Sequence, residues 1–310
     1  MKIVVTGAAG FIASHLCEEL TDHEVLGVDN VNDYYNQAQK QQNIQLIQAA
    51  GTKFKKADIR EETTHELIKE FNPDVIVHLA AMAGVRYSIQ EPALYADVNV
   101  KATQQLLQTA KDTQARFVFA SSSSVYGART NAPFKETDDV SKQVSPYAAT
   151  KRAGELLCQV HHHLTQLPVT CLRFFTVYGE RGRPDMAPYK FMQMIDNNQA
   201  LTRYGDGTTK RSYTYVKDIT KGIQAAINKP KGYEIYNLGT NQTTQLNEFI
   251  QTIEEVMNQQ ATIKQLPQQP GDVPLTSADI TKARNELNYQ PTTKLKEGLT
   301  NQYNWYKSGI

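Results

Sequence analysis

A run of apolar residues that passes directly into Gly7-Ala8-Ala9-Gly10-Phe11-Ile12-Ala13 constrains this chain more than any other feature. Lys2–Thr6 reads as a buried strand and Ile12–Thr21 as a helix, which leaves the two glycines in the turn between them. Gly7 permits a tight turn, and Gly10 lets backbone approach an anion. The helix that follows offers its first amides and the positive end of its dipole. Ala13 supplies the third small residue needed for close helix packing. A glycine pattern alone could be a structural turn, but Asp29 follows Gly10 by nineteen residues, at the end of the next strand. A carboxylate there can bind both hydroxyls of an adenosine ribose and would repel a 2′-phosphate. Together these features predict an NAD site, with Phe11, Ile12 and Asn30 beside the two landmarks. Asp58-Ile59, ending the third strand, could approach the adenine; a helix cap ahead of Glu61 and Glu62 is an equally open reading of Asp58.

Short apolar runs alternate with helical segments through the first half. Lys2–Thr6, Glu24–Asp29, Lys53–Asp58, Val75–Ala80 and Arg116–Ser121 read as strands, and Ile12–Thr21, Glu61–Phe71 and Ala93–Asp112 as helices. Near-continuous apolar strands separated by helices imply a parallel sheet covered on both faces. Right-handed crossovers make a Rossmann-like doubly wound α/β fold the economical solution. After another strand at Val169–Phe175 the pattern changes, and Gly, Pro, Tyr and charged residues from Tyr178 to Asp218 suit pocket-shaping loops. Tyr233–Gly239 reads as a strand returning to the sheet, followed by a helix at Leu246–Asn258. The Gln-rich patches Gln37–Gln48 and Gln265–Gln269 are too short to establish disorder.

Thirty-three basic residues nearly cancel thirty-two acidic ones, so no global field recruits nucleic acid or anionic membrane. No run of about 20 apolar residues suggests a membrane span, and MKIVV resembles a first strand rather than a secretory signal. Cys17, Cys158 and Cys171 are widely spaced and odd in number, which fits packed, reduced thiols in a cytoplasm. His161-His162-His163 point in different directions on a helix, so no metal site is expected.

His78-Leu79-Ala80-Ala81 at the end of the fourth strand, Asn99 on the next helix, Ser121-Ser122-Ser123-Ser124-Val125-Tyr126-Gly127 and Tyr147-Ala148-Ala149-Thr150-Lys151 complete a pattern that resembles the extended short-chain dehydrogenase/reductase superfamily, along essentially the whole chain. Family position implies that Leu79, Ala80, Ala81 and Asn99 line the cofactor site. Tyr147 and Lys151 also have a physical rationale: Pro146 favours helix entry, and residues four apart share a helix face. A nearby ammonium is expected to lower the tyrosine pKa from about 10, making Tyr147 a usable base. Counting back from Val125-Tyr126-Gly127, Ser122 takes the family's catalytic hydroxyl position.

Dehydratase relatives place Asp-Glu after that hydroxyl, and decarboxylating relatives place Glu before Val-Tyr-Gly; here Ser123 and Ser124 stand instead. The resemblance therefore implies epimerisation. Ala81-Met82-Ala83-Gly84-Val85-Arg86-Tyr87-Ser88, Arg173-Phe174-Phe175-Thr176-Val177-Tyr178-Gly179 and Gly182-Arg183-Pro184-Asp185-Met186-Ala187 are most similar to the UDP-glucuronate 4-epimerases. Carried over, Thr176 and Arg183 would address the uronate carboxylate with Ser123 and Ser124 nearby, the guanidinium pairing it in a fork. Oxidation at C4 makes a β-keto acid, and holding its carboxylate firmly would discourage loss of carbon dioxide. Arg211, in Gly205–Val216, is the candidate diphosphate contact, with Arg86 and Asp272 as further nucleotide-site candidates. Residues 1–175 are thus expected mainly to bind NAD and 176–310 mainly a UDP-sugar in a smaller mixed α/β region, interleaved through the strand near 233–239. Relatives commonly form dimers through helices beside the active site, and Leu106, Leu107, Leu156 and Leu157 could join such a homodimer or pack on their own sheet. Two other readings stay open: 4-epimerisation of a neutral UDP-hexose or UDP-N-acetylhexosamine, and a non-catalytic nucleotide-binding scaffold.

Overall fold

The apolar runs of the first half are apolar on both faces because each strand lies between two cores. In the computed structural model, which describes residues 1–267 and 275–309, Ile3 and Val5 of β1 (Lys2–Thr6) face one core while Val4 faces the other. The remaining strands are β2 (Glu24–Asp29), β3 (Lys53–Lys56), β4 (Val75–His78), β5 (Arg116–Ser122), β6 (Val169–Phe174), β7 (Thr176–Tyr178), β8 (Leu201–Tyr204), β9 (Lys210–Arg211), β10 (Tyr213–Tyr215), β11 (Tyr233–Leu238), β12 (Thr244–Gln245), β13 (Ile263–Leu266) and β14 (Leu275–Thr276). Seven form one sheet in the order β11-β6-β5-β4-β1-β2-β3, every pair parallel. The strand order reverses between β1 and β4, where Thr6 is in register with His78, and a crevice opens at the carboxyl ends of these strands.

The helices are α1 (Phe11–Glu19), α2 (Gln37–Ala49), α3 (Glu62–Phe71), α4 (Val85–Gln90), α5 (Pro92–Ala96), α6 (Ala102–Thr113), α7 (Pro146–Thr165), α8 (Ala187–Asp196), α9 (Val216–Asn228), α10 (Leu246–Met257), α11 (Thr281–Leu287) and α12 (Leu295–Lys307). Residues of α1 and α9 close one face of the sheet, and residues of α3, α6 and α7 close the other. The helix expected over Ala93–Asp112 is continuous in outline but widens into a π turn at Asp97–Lys101. The Gln-rich patch at 37–48 is α2, held by buried Ile44 and Ile47.

The loop-like reading of Tyr178–Asp218 needs correction. This stretch contains α8, β8, β9 and β10, and Phe191, Met192 and Ile195 repeat at helical spacing to enter a third core with Phe249, Ile253 and Leu299. Phe11 of α1 reaches that core too, so the second region packs directly on the helix that follows the glycine turn. β11 returns to the main sheet beside β6, with Tyr233 opposite Val169.

Candidate active site

Gly7 has φ +74°, and a Cβ there would lie 2.8 Å from the backbone nitrogen of Ala80, so only glycine lets the turn pass this close to the end of β4. Gly10 is the N-cap of α1 and brings no capping side chain to the first helical amides. Thr6 ties the turn to β4: its hydroxyl meets His78 Nδ1 at 2.8 Å and accepts from the Ala80 amide at 3.2 Å. On the opposite ring nitrogen, His78 meets Thr103 at 3.0 Å, and burial draws its pKa down to about 3.

Gly7, Gly10 and Ala80 lie in the wall of a cavity of about 440 Å³. Gly7, Gly10, Phe11, Ile12, Asp29, Asn30, Asp58, Ile59, Leu79, Ala80, Ala81, Tyr147, Lys151 and Arg183 all line it. Asp29 accepts from the amides of Val31 at 2.7 Å and Ala9 at 3.1 Å, while burial pushes its pKa up. Asp58 is gripped by the Arg60 guanidinium at 2.8 Å, accepts from Asn30 at 3.0 Å, and its pKa is pulled to about 2 by those contacts. Its helix-cap reading fails: the N-cap of α3 is Glu61, and the Asp58 carboxylate serves Arg60 instead.

Asn99 does not line the cavity. From the π turn its amide donates to the Met82 carbonyl at 2.9 Å and accepts from the Met82 amide at 2.8 Å, bracing the cavity wall from behind. Such turns inside helices recur at functional sites. Ser122 ends β5, and its hydroxyl accepts from the Ser124 amide at 3.1 Å. Ser123 and Ser124 begin the 3-10 turn beyond it. Thr176 opens β7, two residues past Phe174, which is in register with Ser122.

Tyr147 and Lys151 share the cavity-facing side of α7, whose N-cap Ser145 accepts from the Ala148 amide at 3.1 Å. The electrostatics differ from the expected pairing. Burial raises the Tyr147 pKa, and the hydrogen bond with Ser122 and the charge of Arg183 pull it back. Lys151 is not among the groups that move it. The Lys151 ammonium donates to the Ala120 carbonyl at 2.8 Å, and burial draws its pKa down to about 8.

Arg183 reaches the same cavity, but its fork is not turned to the open space. Nε and Nη2 pair with the two carboxylate oxygens of Asp185 at 2.9 and 2.6 Å. Arg86 stands apart on exposed α4 with its guanidinium 5.3 Å from the Tyr204 ring, and Arg211 lies in β9 between β12 and β14. Neither lines the cavity that holds Tyr147 and Lys151. Asp272 falls outside the described residues. His161 turns inward on α7, while His162 meets the Leu167 carbonyl at 2.8 Å.

Sequence reasoning missed the segment after β2. Asp29, Asn30 and Asn32 each accept from the amide two residues on, at 2.7, 3.1 and 3.3 Å, forming a ladder of Asx turns from Asp29 to Tyr34. That ladder carries Tyr34 across the cleft, where its hydroxyl donates to the Ala83 carbonyl at 2.6 Å. Tyr35 lines the cavity as Phe11 does, and Lys40 fastens the segment through the Asn32 carbonyl at 2.8 Å. The alternating Asp and Asn of Asp29-Asn30-Val31-Asn32-Asp33 were the available signal.

The family model described as GDP-mannose 4,6 dehydratase matches residues 4–302. The UDP-glucuronate 4-epimerase of Thermodesulfobacterium geofontis is 39% identical over 313 residues, covering 99% of this chain and 96% of that one. A crystal structure of UDP-glucuronic acid 4-epimerase from Bacillus cereus, in complex with UDP-glucuronic acid and NAD, superposes with a TM-score of 0.93 at 37% identity and covers 100% of both chains. A UDP-N-acetylglucosamine 4-epimerase from Methanobrevibacter ruminantium reaches a TM-score of 0.92 at 29% identity, covering 100% of this chain and 99% of that one, so backbone likeness alone does not choose the sugar. The chain belongs to the extended short-chain dehydrogenase/reductase family of nucleotide-sugar epimerases and dehydratases, and it groups there with the UDP-glucuronate 4-epimerases.

Proposed function

We propose that this protein is an NAD-dependent UDP-glucuronate 4-epimerase that interconverts UDP-glucuronate and UDP-galacturonate through a 4-keto sugar without decarboxylation. The observation that carries this reading is the meeting, in one cavity, of the glycine turn and Asp29 with Tyr147, Lys151 and Arg183. The residues present suit NAD: uncapped helix amides for a pyrophosphate and a buried carboxylate for ribose hydroxyls. Bound there, NAD supplies the oxidising and reducing equivalent that lets C4 be inverted with no net redox change.

In this reading Tyr147 takes the proton of the sugar hydroxyl and returns it, assisted by Ser122. Lys151, buried and held by the Ala120 carbonyl, carries the positive charge beside the reacting end of the cavity. Thr176, Ser123, Ser124 and Arg183 hold the uronate carboxylate, and Arg86, Arg211 and Asp272 serve the nucleotide. Residues 1–175 act mainly on the cofactor and 176–310 mainly on the UDP-sugar, with β11 returned to the first unit. A homodimer is supported by Leu156, Val160 and Leu164, which are 47, 54 and 74% exposed along one face of α7. Leu106 and Leu107 are buried in the chain's own core instead. Three free, buried cysteines support a cytoplasmic location, and among the described residues no helix is long and apolar enough to cross a membrane.

Incubating purified protein with UDP-glucuronate and following the anomeric signals by NMR tests the reading. UDP-galacturonate is the expected product. Faster turnover of UDP-glucose or UDP-N-acetylglucosamine would move the assignment to a neutral sugar, and NAD binding with no turnover would leave a scaffold.

A further inference from the structure

Most donors of the Arg183 guanidinium are already engaged by the protein. Asp185 occupies the Nε and Nη2 side. Nη2 also donates to the Tyr34 hydroxyl at 3.3 Å and to the Ala83 carbonyl at 3.2 Å. The guanidinium carbon sits 5.3 Å from the Tyr34 ring, and Tyr34 is itself fixed to the Ala83 carbonyl. No described residue accepts a hydrogen bond from Nη1. The fork fixes rotation of the guanidinium about its own axis, and the ring fixes its height. Both restraints act on a side chain that would otherwise sample many rotamers.

We infer that Asp185 and Tyr34 are positioning residues that occupy the bidentate edge of Arg183 and present Nη1 as one directed donor to the substrate carboxylate. The inference rests on the uronate reading of the site and deepens it. The carboxylate then receives a single charge-assisted hydrogen bond from Arg183 rather than a fork, and Asp185 offsets the remaining charge of the guanidinium. Attraction becomes short-ranged and directional. Direction matters because the 4-keto uronate can break C5–C6. That electron pair enters the C4 carbonyl to form an enolate, carbon dioxide leaves, and the enolate takes a proton to give a 4-keto pentose. The break requires C5–C6 to align with the carbonyl π system, so a carboxylate held in one place suppresses it.

The test compares wild type, Asp185→Asn, Asp185→Glu and Tyr34→Phe with UDP-glucuronate, measuring KM and the ratio of 4-keto pentose to UDP-galacturonate by NMR. Asp185→Asn is expected to raise KM about fivefold and the pentose ratio about tenfold, the scale of one misdirected charge-assisted hydrogen bond. Asp185→Glu should recover part of both. Tyr34→Phe, which keeps the ring but loses the hydroxyl, should raise the ratio by less. Asp185 is 49% exposed, so its thermal midpoint should not change and general loosening is excluded as the cause. A lower KM with an unchanged ratio would make Asp185 a competitor for Arg183 and overturn the inference, as would no change in either quantity. Wild type that leaves UDP-glucuronate untouched would instead refute the parent reading of the substrate.

Discussion

Replacing Glu155 by Gln should be among the most damaging single changes away from the cavity. The Glu155 side chain is 0% exposed, and its carboxylate accepts from Arg173 Nε at 2.8 Å, Arg173 Nη2 at 2.9 Å, Ser121 at 2.6 Å and Arg152 at 2.9 Å. Burial alone would raise its pKa, but Arg173, Ser121 and Arg152 outweigh that and leave it lowered, so the group is charged at neutral pH. An amide in its place keeps one acceptor and turns an NH₂ toward guanidinium donors, leaving the Arg173 charge, 1% exposed, without a counter-ion. Breaking a buried pair from one side costs about 3–5 kcal/mol. For a chain of this size that lowers the thermal midpoint by on the order of 10 °C. Urea unfolding followed by circular dichroism would measure the loss. The double variant E155L/R173M removes both fully buried charges, leaves only the part-exposed Arg152 without its partner, and should be less destabilised than E155Q. A loss below about 1 kcal/mol for the single variant, or a double variant worse than the two singles combined, would refute the reasoning.

Tyr147→Phe should lower kcat at least about a hundredfold, the usual scale of one general base, while retaining NAD, as measured by bound-cofactor absorbance. Gly7→Ala should abolish stable NAD binding, read by calorimetry, because a Cβ at 2.8 Å from the Ala80 backbone forces the cradle apart. Acid should destabilise the fold well above the carboxylate range. His15 and His78 have pKa values near 3 when folded, drawn down by burial, against about 6.5 unfolded. The unfolded chain therefore binds more protons below pH 6.5, and stability, complete above that value, falls by about 1.4 kcal/mol per pH unit for each histidine. His78→Gln should remove one histidine's share of that slope, whatever it does to stability at pH 8.

The first half of the chain was legible because its physics is local and repetitive. Lys2–Thr6 and Glu24–Asp29 are strands at the predicted bounds, since fully buried parallel strands leave long apolar runs between glycine and acidic stops. The second half was harder because its strands are short, two residues in β9 and β12, and made by tertiary pairing rather than by propensity. Within the cavity, Tyr147, Lys151 and Arg183 were picked out together, but not what each touches. That Lys151 turns to Ala120, and that Arg183 gives its fork to Asp185, depends on neighbours remote in sequence or hidden among ordinary surface residues. Tyr34 escaped notice for the same reason: its partner Ala83 lies forty-nine positions away.

The Tyr34 bridge to Ala83 also bears on bookkeeping between protein and cofactor. A dinucleotide lying along the glycine turn would share its cavity with that bridge, since Tyr34 and Ala83 line it together with Gly7 and Gly10. An enzyme that restores its oxidant in every cycle has no need of exchange. Such a protein should emerge from purification with NAD aboard, turn over at a rate indifferent to added NAD, and behave toward its medium as an isomerase rather than a dehydrogenase.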